Sequence, residues 1–480
     1  MVAHSAAYFA VRLVNGVLAL TATSVLTRLL DAEQYGVYAL GMAAVSASAA
    51  ILFQWLNAAV ARFHAAFGPA TDELVTEAHR LFLGTTAVAL LGAVCVAVAR
   101  PFDGISPTMT LIITGAAVLL GLQELHLQIS NARGQALRYG FITMSRGAAS
   151  LLLAIALIQV GIGPAGPLVA VGAASVLAVG LFGARWKWRV SQKAADLRCQ
   201  LLSYGAPIAL TAVVTMILGV SDRFLVGFWH GTSAVAGYAA AYDLAQQSVG
   251  VVLSVFMMAS YPRITAAWEA GGTPAAADAM EPLARALFLS APLIVGAFVG
   301  LAPEIARILL GAGLRHDAAV VMPWIAFAIG AGCFKTYLFD IALNLSKSTG
   351  TLFAIASAMA VSNVALNLLL IPRLGLLGAA ISSVVAFTGG ALLSWWKGHR
   401  VGVYPPLLRE LVKAGTALLG MVAVMRWIGP GVPFGSVIDD LIGAILKLGV
   451  GLGVFCAIAW LSDLSLVRTR LHGAWRESFD

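Results

Sequence analysis

Ionisable and amide side chains stand at intervals inside runs that are otherwise apolar, and their types define the chemistry on offer. Arg12, Asn15, Gly16, Ala19 and Thr23 recur at helical spacing, which gathers them on one stripe of a helix opposite Val11, Leu18 and Val25. Arg12 would give that stripe a planar cationic fork matched to phosphate. Asp243, Gln246, Gln247, Gly250 and Ser254 form a second stripe. There Asp243 would bind a proton or a sodium ion, or orient sugar hydroxyls. The competing reading of both stripes is helix packing through small residues, with the charges paired locally.

Other charges repeat the choice between structure and function. Glu124 and Arg146 fall near facing ends of consecutive runs, each roughly 10 Å deep at 1.5 Å per residue. That depth makes them a structural salt bridge, with ligand binding as the alternative. Lys335 and Asp340 are five residues apart, about 140° around an α-helix, so they are not expected to pair on one face. Asp340 instead joins Thr336, Tyr337, Asn344 and Lys347, which leaves Lys335 as a candidate cavity cation. Lys447 has no evident partner and is expected to pair locally or snorkel. Arg28 closes one run, as Asp222 and Arg223 close another, and these three are candidates for interfacial snorkelling or for an outer gate. Just after Arg28, Asp31-Ala-Glu-Gln34 reads as a helix N-cap with a glutamine three residues on.

These side chains need elements that hold them in an apolar medium. Of the 480 residues, 60% are hydrophobic and 11% charged, with a mean hydropathy of +0.90. A soluble domain carries about 25% charged residues, so the composition describes a polytopic, all-α membrane protein. A spanning helix takes about 20 apolar residues, and about 14 such helices use up the chain. Spans are expected near 8–28, 35–58, 80–99, 108–130, 140–161, 164–184, 202–228, 234–260, 283–302, 318–345, 351–371, 375–396, 407–428 and 437–461. The first has no small-residue cleavage pattern and reads as a retained helix rather than a signal peptide. The runs are twice the length of a barrel strand. Cys95, Cys333 and Cys456 lie in apolar runs and Cys199 in a basic loop, so neither a disulfide framework nor a metal pair is expected.

The net charge of +8 is an orientation signal. With the N-terminus inside, about 19 of the 30 Lys and Arg residues fall on the cytoplasmic side and about seven outside. Arg185, Lys187, Arg189, Lys193 and Arg198 make the densest block; Lys397, Arg400, Arg409 and Lys413 make a second. Both termini are therefore expected in the cytoplasm, and nucleic acid is not an expected partner. The chain also repeats. Asn131 and Asn344 are 213 residues apart, and Gly163-Pro-Ala-Gly166 and Gly375-Leu-Leu-Gly378 are 212 apart. Each Gly-x-x-Gly leads into a small-residue helix ending at a basic edge with tryptophan, Trp186 or Trp395. Two parallel six-helix repeats follow, with their pseudo-axis along the membrane normal. The expected division is a first lobe at 1–184, a basic linker at 185–200, a second lobe at 201–397, and a helix pair with tail at 398–480. Such duplication is the architecture of an alternating-access transporter.

Thr27-Arg-Leu-Leu-Asp-Ala-Glu-Gln-Tyr-Gly-Val-Tyr38, Tyr204-Gly-Ala-Pro207, Ser221-Asp-Arg-Phe224, Ala236-Gly-Tyr238 and Tyr261-Pro262 carry a family resemblance. In order and spacing they resemble the polysaccharide flippases of the multidrug/oligosaccharidyl-lipid/polysaccharide exporter superfamily. The resemblance implies a central cavity lined by the first, second, seventh and eighth spans, where Arg12, Asn15, Gln54, Asn57, Asp243, Gln246 and Gln247 would meet substrate. It also implies a polyprenyl-pyrophosphate-linked oligosaccharide as cargo, the bacterial inner membrane as location, and a lipid-tail groove at the last two spans. Membrane lipids and a polysaccharide polymerase are the implied partners of a monomer that is a transporter rather than an enzyme and has no cofactor. No GxxxxGK[ST] phosphate loop occurs, so a membrane potential or ion gradient would reset it. The second span has no arginine before Arg62, unlike related lipid II flippases, which weakens a peptidoglycan precursor as substrate. Asp243 and Asp340 keep a cation-coupled multidrug antiporter as the alternative, and a membrane polymerase or ligase stands further off, since the longest outer loop is about 303–317.

Overall fold

Hydrocarbon offers no hydrogen bonds, so a chain that crosses it must satisfy its backbone internally. The computed structural model describes residues 2–67, 71–99, 106–183, 194–405, 407–429 and 437–466, and among these there are helices and no strand. The basic residues Arg185, Lys187, Arg189 and Lys193, with Trp186, lie outside the described residues. The helices are α1 (Val2–Leu29), α2 (Ala32–Phe67), α3 (Thr71–Ala99), α4 (Pro107–Ala132), α5 (Ala136–Gln159), α6 (Ala165–Phe182), α7 (Ala194–His230) and α8 (Thr232–Ala245). They continue as α9 (Val251–Gly300), α10 (Ala302–Leu309), α11 (Arg315–Phe334), α12 (Asp340–Leu345), α13 (Thr349–Leu374), α14 (Leu376–Gly398), α15 (Leu407–Trp427) and α16 (Val437–Leu461).

Eleven helical segments among the described residues are long and apolar enough to cross a membrane. One of them, Thr232–Gly300, has 69 residues, or about 100 Å at 1.5 Å per residue, too long for a single crossing. Gly272 breaks it at φ 63° and ψ −147°, which makes two. Adding α1 and the more charged α15 brings the number to the expected fourteen. The protein is therefore a multi-pass, all-α membrane protein. The turn between α13 and α14 falls on Gly375, at φ 58°, while Pro372 stays within the last turn of α13. The N-cap at Asp31 is present: its Oδ1 accepts the Gln34 N–H at 2.8 Å.

The duplication is visible bond by bond in the turns. After α4, Arg133, Gly134 and Gln135 donate their N–H groups to the carbonyls of Ile129, Asn131 and Ser130. After α12, Ser346, Lys347 and Ser348 donate to Ala342, Asn344 and Leu343, the same pattern 213 residues on. The two Gly-x-x-Gly turns agree as well: Gly166 donates to Gly163 at 3.1 Å and Gly378 to Gly375 at 3.0 Å, with both first glycines at positive φ. One position has diverged. Gly134 sits at φ 67°, whereas the second copy holds Lys347 at φ 55°, where a side chain is strained against its own backbone.

By packing, the chain forms two compact units. Met1–Ala22 with Leu29–Ala236 make the first, and Thr23–Arg28 with Gly237–Asp480 the second. The division expected at 184 and 201 follows the repeat, whereas compactness places residues up to Ala236 with the first unit. In that unit Phe53, Leu56 and Val60 of α2 pack with Val75, Ala78 and Phe82 of α3 and with Val118, Leu125 and Ile129 of α4. The Phe53 and Phe82 rings stand 4.6 Å apart. Leu197 and Leu201 tie the start of α7 to Ala59 of α2 and Leu74 of α3. In the second unit, small residues let helices approach: Gly332 of α11 meets Phe387 of α14, Gly296 and Gly300 of α9 meet Met421 and Met425 of α15, and Gly420 meets Ile458 of α16.

The tip of α1, Thr23–Arg28, packs as part of the second unit. Arg28 Nη2 donates to the Ile308 carbonyl at 2.5 Å, and the Gly311 N–H donates to Thr27 Oγ1 at 3.2 Å. A Cβ on Gly311 would stand 1.8 Å from the Thr27 carbonyl oxygen, so only glycine permits the approach.

The Lys347 turn yields a direct expectation. Lys347→Gly removes left-handed strain and should stabilise the protein by about 0.5–1 kcal/mol, and Gly134→Lys should cost a similar amount. Denaturant unfolding in detergent measures both, and equal midpoints for wild type and Lys347→Gly would contradict the strain.

Candidate functional site

Helical period decides which side of each span a polar group occupies, and packing decides what it meets. In the first unit, Gly140 and Gly147 of α5 receive Val11 and Leu18 of α1, with Asn15 Oδ1 at the edge of the Gly147 contact. Arg12 is exposed, Asn15 half-buried, and Gly16 and Thr23 buried. The stripe therefore runs from an exposed cation into a buried floor. On α2, Gln54 is exposed and Asn57 half-buried, with Asn57 Oδ1 buried and unmatched by a hydrogen-bond donor. Glu124 and Arg146 come within electrostatic reach of each other, and Arg146 also of Tyr38. They do not close into an ion pair, and Arg146 Nε is buried without an acceptor.

In the second unit, two turns depart from α geometry. Gln246–Gly250 and Lys335–Phe339 are π-helical. A π turn pairs residue i with i+5, and such turns recur at functional positions. At the first, Asp243 and Gln247 are half-buried, Gln246 is exposed, and Gly250 and Ser254 are buried. The wide turn bends the expected stripe: the amides stay at its open end while Ser254 turns inward, its hydroxyl donating to the Val251 carbonyl at 2.7 Å.

The second π turn corrects the reading of Lys335 and Asp340. Five residues place side chains on different faces of an α-helix but in line on a π turn. Lys335 Nζ donates to Asp340 Oδ2 at 2.7 Å, with the two residues 9% and 8% exposed. The other carboxylate oxygen accepts the Ser394 hydroxyl of α14, also at 2.7 Å. Tyr404 closes the arrangement by donating its hydroxyl to the Phe339 carbonyl at 2.5 Å, its ring edge-on to that of Phe339. Burial first, and then the negative charge of Asp340, hold the Tyr404 phenol above its ordinary range, so it remains a donor at neutral pH. Lys335 is thus a paired cation rather than a free one.

Lys447 is corrected too. It neither snorkels nor pairs locally: its ammonium donates to Glu304 Oε1 of α10 at 3.0 Å, with side chains 6% and 2% exposed. Asp440, two turns earlier on the same face of α16, meets Arg307, one turn along α10, at 3.5 Å. Of the gating candidates, Arg28 lies at the end of its helix as expected. Asp222 and Arg223 instead lie two turns inside α7, which runs on to His230. Asp222 is 2% exposed and accepts the backbone N–H of Arg223 at 2.8 Å.

Sequence reasoning missed a polar cluster on α3. Glu77 is buried between Arg80 at 2.5 Å and Arg198 at 3.2 Å, so one arginine of the expected basic linker has a structural partner. His79 and His126 stand edge to face nearby, 5.4 Å between ring centroids, and Arg133 reaches Asp72 at 3.2 Å. The Glu77–Arg80 spacing was a readable signal; the partners from other helices were not.

Removing one member of a buried pair leaves the other uncompensated, at about 3–5 kcal/mol, whereas replacing both with apolar groups is often neutral. At the 213-residue offset Asp340 corresponds to Leu127 of an unbroken α4, so an apolar side chain suits this turn. Asp340→Leu should therefore destabilise by about 3–5 kcal/mol, and Lys335→Met/Asp340→Leu should recover most of it. Unfolding midpoints in detergent read the difference, and additive losses in the double variant would contradict a direct pair.

The family described as Polysaccharide biosynthesis protein matches residues 1–268. No curated protein matches the sequence. Among solved structures, a lipid II flippase, MurJ, in an inward closed conformation covers 97% of this chain and 100% of its own, at 15% identity and a TM-score of 0.76. A multidrug resistance MATE family transporter of the MOP superfamily, inward-facing, covers 82% and 94% at 15% identity and a TM-score of 0.64. A MOP superfamily transporter from Pyrococcus furiosus, described as having a binding pocket of reversed polarity, covers 83% and 95% at 13% identity and a TM-score of 0.58. The fold is thus that of the multidrug/oligosaccharidyl-lipid/polysaccharide transporters. With more than half of its length matched by the family, the chain belongs to the polysaccharide biosynthesis protein family.

Proposed function

We propose that this protein is a flippase that moves polyprenyl-pyrophosphate-linked oligosaccharide repeat units across the bacterial inner membrane by alternating access, for surface polysaccharide biosynthesis. The observation that carries the reading is the family match over residues 1–268, a stretch that holds Arg12, Asn15, Gln54, Asn57, Asp243, Gln246 and Gln247. In this reading Arg12 grips the pyrophosphate, the amides and Asp243 contact sugar hydroxyls, and the prenyl tail stays in lipid beside α15 and α16. Both termini are cytoplasmic, the protein works as a monomer feeding a polymerase, and a membrane potential or ion gradient resets it.

The buried pairs bear on coupling and gating. Both oxygens of Asp340 are occupied, by Lys335 and Ser394, so a coupling ion would bind there only by displacing one of them. Arg28 and Thr27, docked on Ile308 and Gly311, are the proposed outer gate, and Asp222 and Arg223 of α7 are proposed gating residues as well. A cation-coupled multidrug antiporter is the second reading, favoured by a carboxylate buried within a span.

Cells lacking the protein should lose surface polymer and accumulate lipid-linked oligosaccharide, with drug sensitivity unchanged. A charge-assisted hydrogen bond contributes about 1.5–3 kcal/mol, so Arg12→Ala, present in the membrane at the wild-type level, should lower transport roughly 10- to 100-fold. Arg12→Lys should retain part of it. Intact polymer with new drug sensitivity would select the antiporter.

A further inference from the structure

The basic, tryptophan-bearing end of α14 has no part in the transport reading, and its charges are arranged unusually. No Asp or Glu occurs between Asp340 and Glu410. Within that acid-free stretch, Lys397 Nζ lies 4.4 Å from the centroid of the Trp396 ring, and the Arg400 guanidinium carbon lies 5.8 Å from it. The rings of Trp395 and His399 stand 5.9 Å apart, tilted at 49°. Trp396 is 52% exposed, and Lys397, His399 and Arg400 are exposed with it. Among the described residues, neither Lys397 nor Arg400 forms an ion pair with a carboxylate.

Two like charges on one indole repel each other, and among the described residues no carboxylate pairs with either to offset the repulsion. An anion seated between them would. The inner face of the same turn is closed, since Ser394 donates to Asp340 and Gly398 abuts Tyr404, so the anion must come from outside. With 23 residues, α14 is about 35 Å long and spans the roughly 30 Å of hydrocarbon, which sets its end at headgroup depth. Tryptophan prefers that level, and the negative end of the helix dipole adds to the preference for cations there.

We propose that Trp396, Lys397 and Arg400 form a binding site for the phosphate of an anionic bilayer phospholipid, with the indole against the glycerol region and the two cations on the phosphate. The occupant is a resident lipid of the leaflet, chosen by charge complementarity.

The test is native mass spectrometry of the full-length protein in mixed micelles of phosphatidylglycerol and phosphatidylcholine with matched tails. Each basic residue near an anionic headgroup contributes about a fivefold preference. Lys397→Gln/Arg400→Gln should therefore lose roughly 30-fold of the phosphatidylglycerol preference. Lys397→Arg/Arg400→Lys should keep it, and Trp396→Ala should lower it. Arg373→Gln, which deletes an exposed charge at the end of α13, should leave it unchanged and thereby controls for total charge. Unchanged preference in the double glutamine variant, or an equal loss in Arg373→Gln, would overturn the site. Displacement of phosphatidylglycerol by an equimolar polyprenyl pyrophosphate probe would reassign it to the transported lipid and overturn the proposal as stated.

Discussion

A charge carried into hydrocarbon costs several kcal/mol unless it finds a partner, and the second unit is built around meeting that cost. Lys335 and Asp340 are five residues apart, a spacing that an α-helix cannot bring together. The backbone widens to a π turn over Lys335–Phe339 and the pair closes at 2.7 Å. Ser394 then fixes the carboxylate from α14, and Tyr404 takes up the Phe339 carbonyl. Four residues from three segments thus lock α11, α12 and α14 around one ion pair. The same rule binds the last helix to the core, because Lys447 and Asp440 present a cation and an anion to Glu304 and Arg307 of α10. Ile308 in the last turn of α10 and Gly311 just beyond it receive the tip of α1, so this short helix meets α16 on one side and the end of the first helix on the other.

The duplication gives a common frame on which the two copies have diverged. The turns after α4 and α12 match hydrogen bond for hydrogen bond, yet the first copy has glycine where the second strains a lysine, and leucine where the second has Asp340. Divergence has therefore placed the buried Lys335–Asp340 pair in the second copy alone, whereas the exposed Arg12 and the amides Gln54 and Asn57 belong to the first unit.

Much of this was legible in the sequence, because each span is defined by length and hydropathy alone. The helix boundaries at Leu29, Ala132, Gln159 and Leu461, the N-cap at Asp31 and the paired Gly-x-x-Gly turns all follow from local rules. The π turns did not, since the apolar pattern has the same period on either side of a single wide turn and nothing in it marks the extra residue. Nor were Glu304 with Lys447, or Glu77 with Arg198, because partners 143 or 121 residues apart are joined by tertiary packing. The candidate substrate residues were readable by type and face. Their exposure was not, and it separates Arg12 and Gln246 from buried members of the same stripes such as Thr23 and Ser254.

The step we propose for this protein is the transfer of a lipid-linked oligosaccharide from one leaflet to the other. Purified protein in liposomes, loaded with a fluorescent polyprenyl-pyrophosphate oligosaccharide and probed by a membrane-impermeant quencher with and without an imposed potential or ion gradient, measures that step alone. Protein-dependent transfer between leaflets that Arg12→Ala lowers roughly 10- to 100-fold is the predicted result. No transfer of any lipid-linked sugar, together with gradient-driven efflux of a small organic cation, would contradict it.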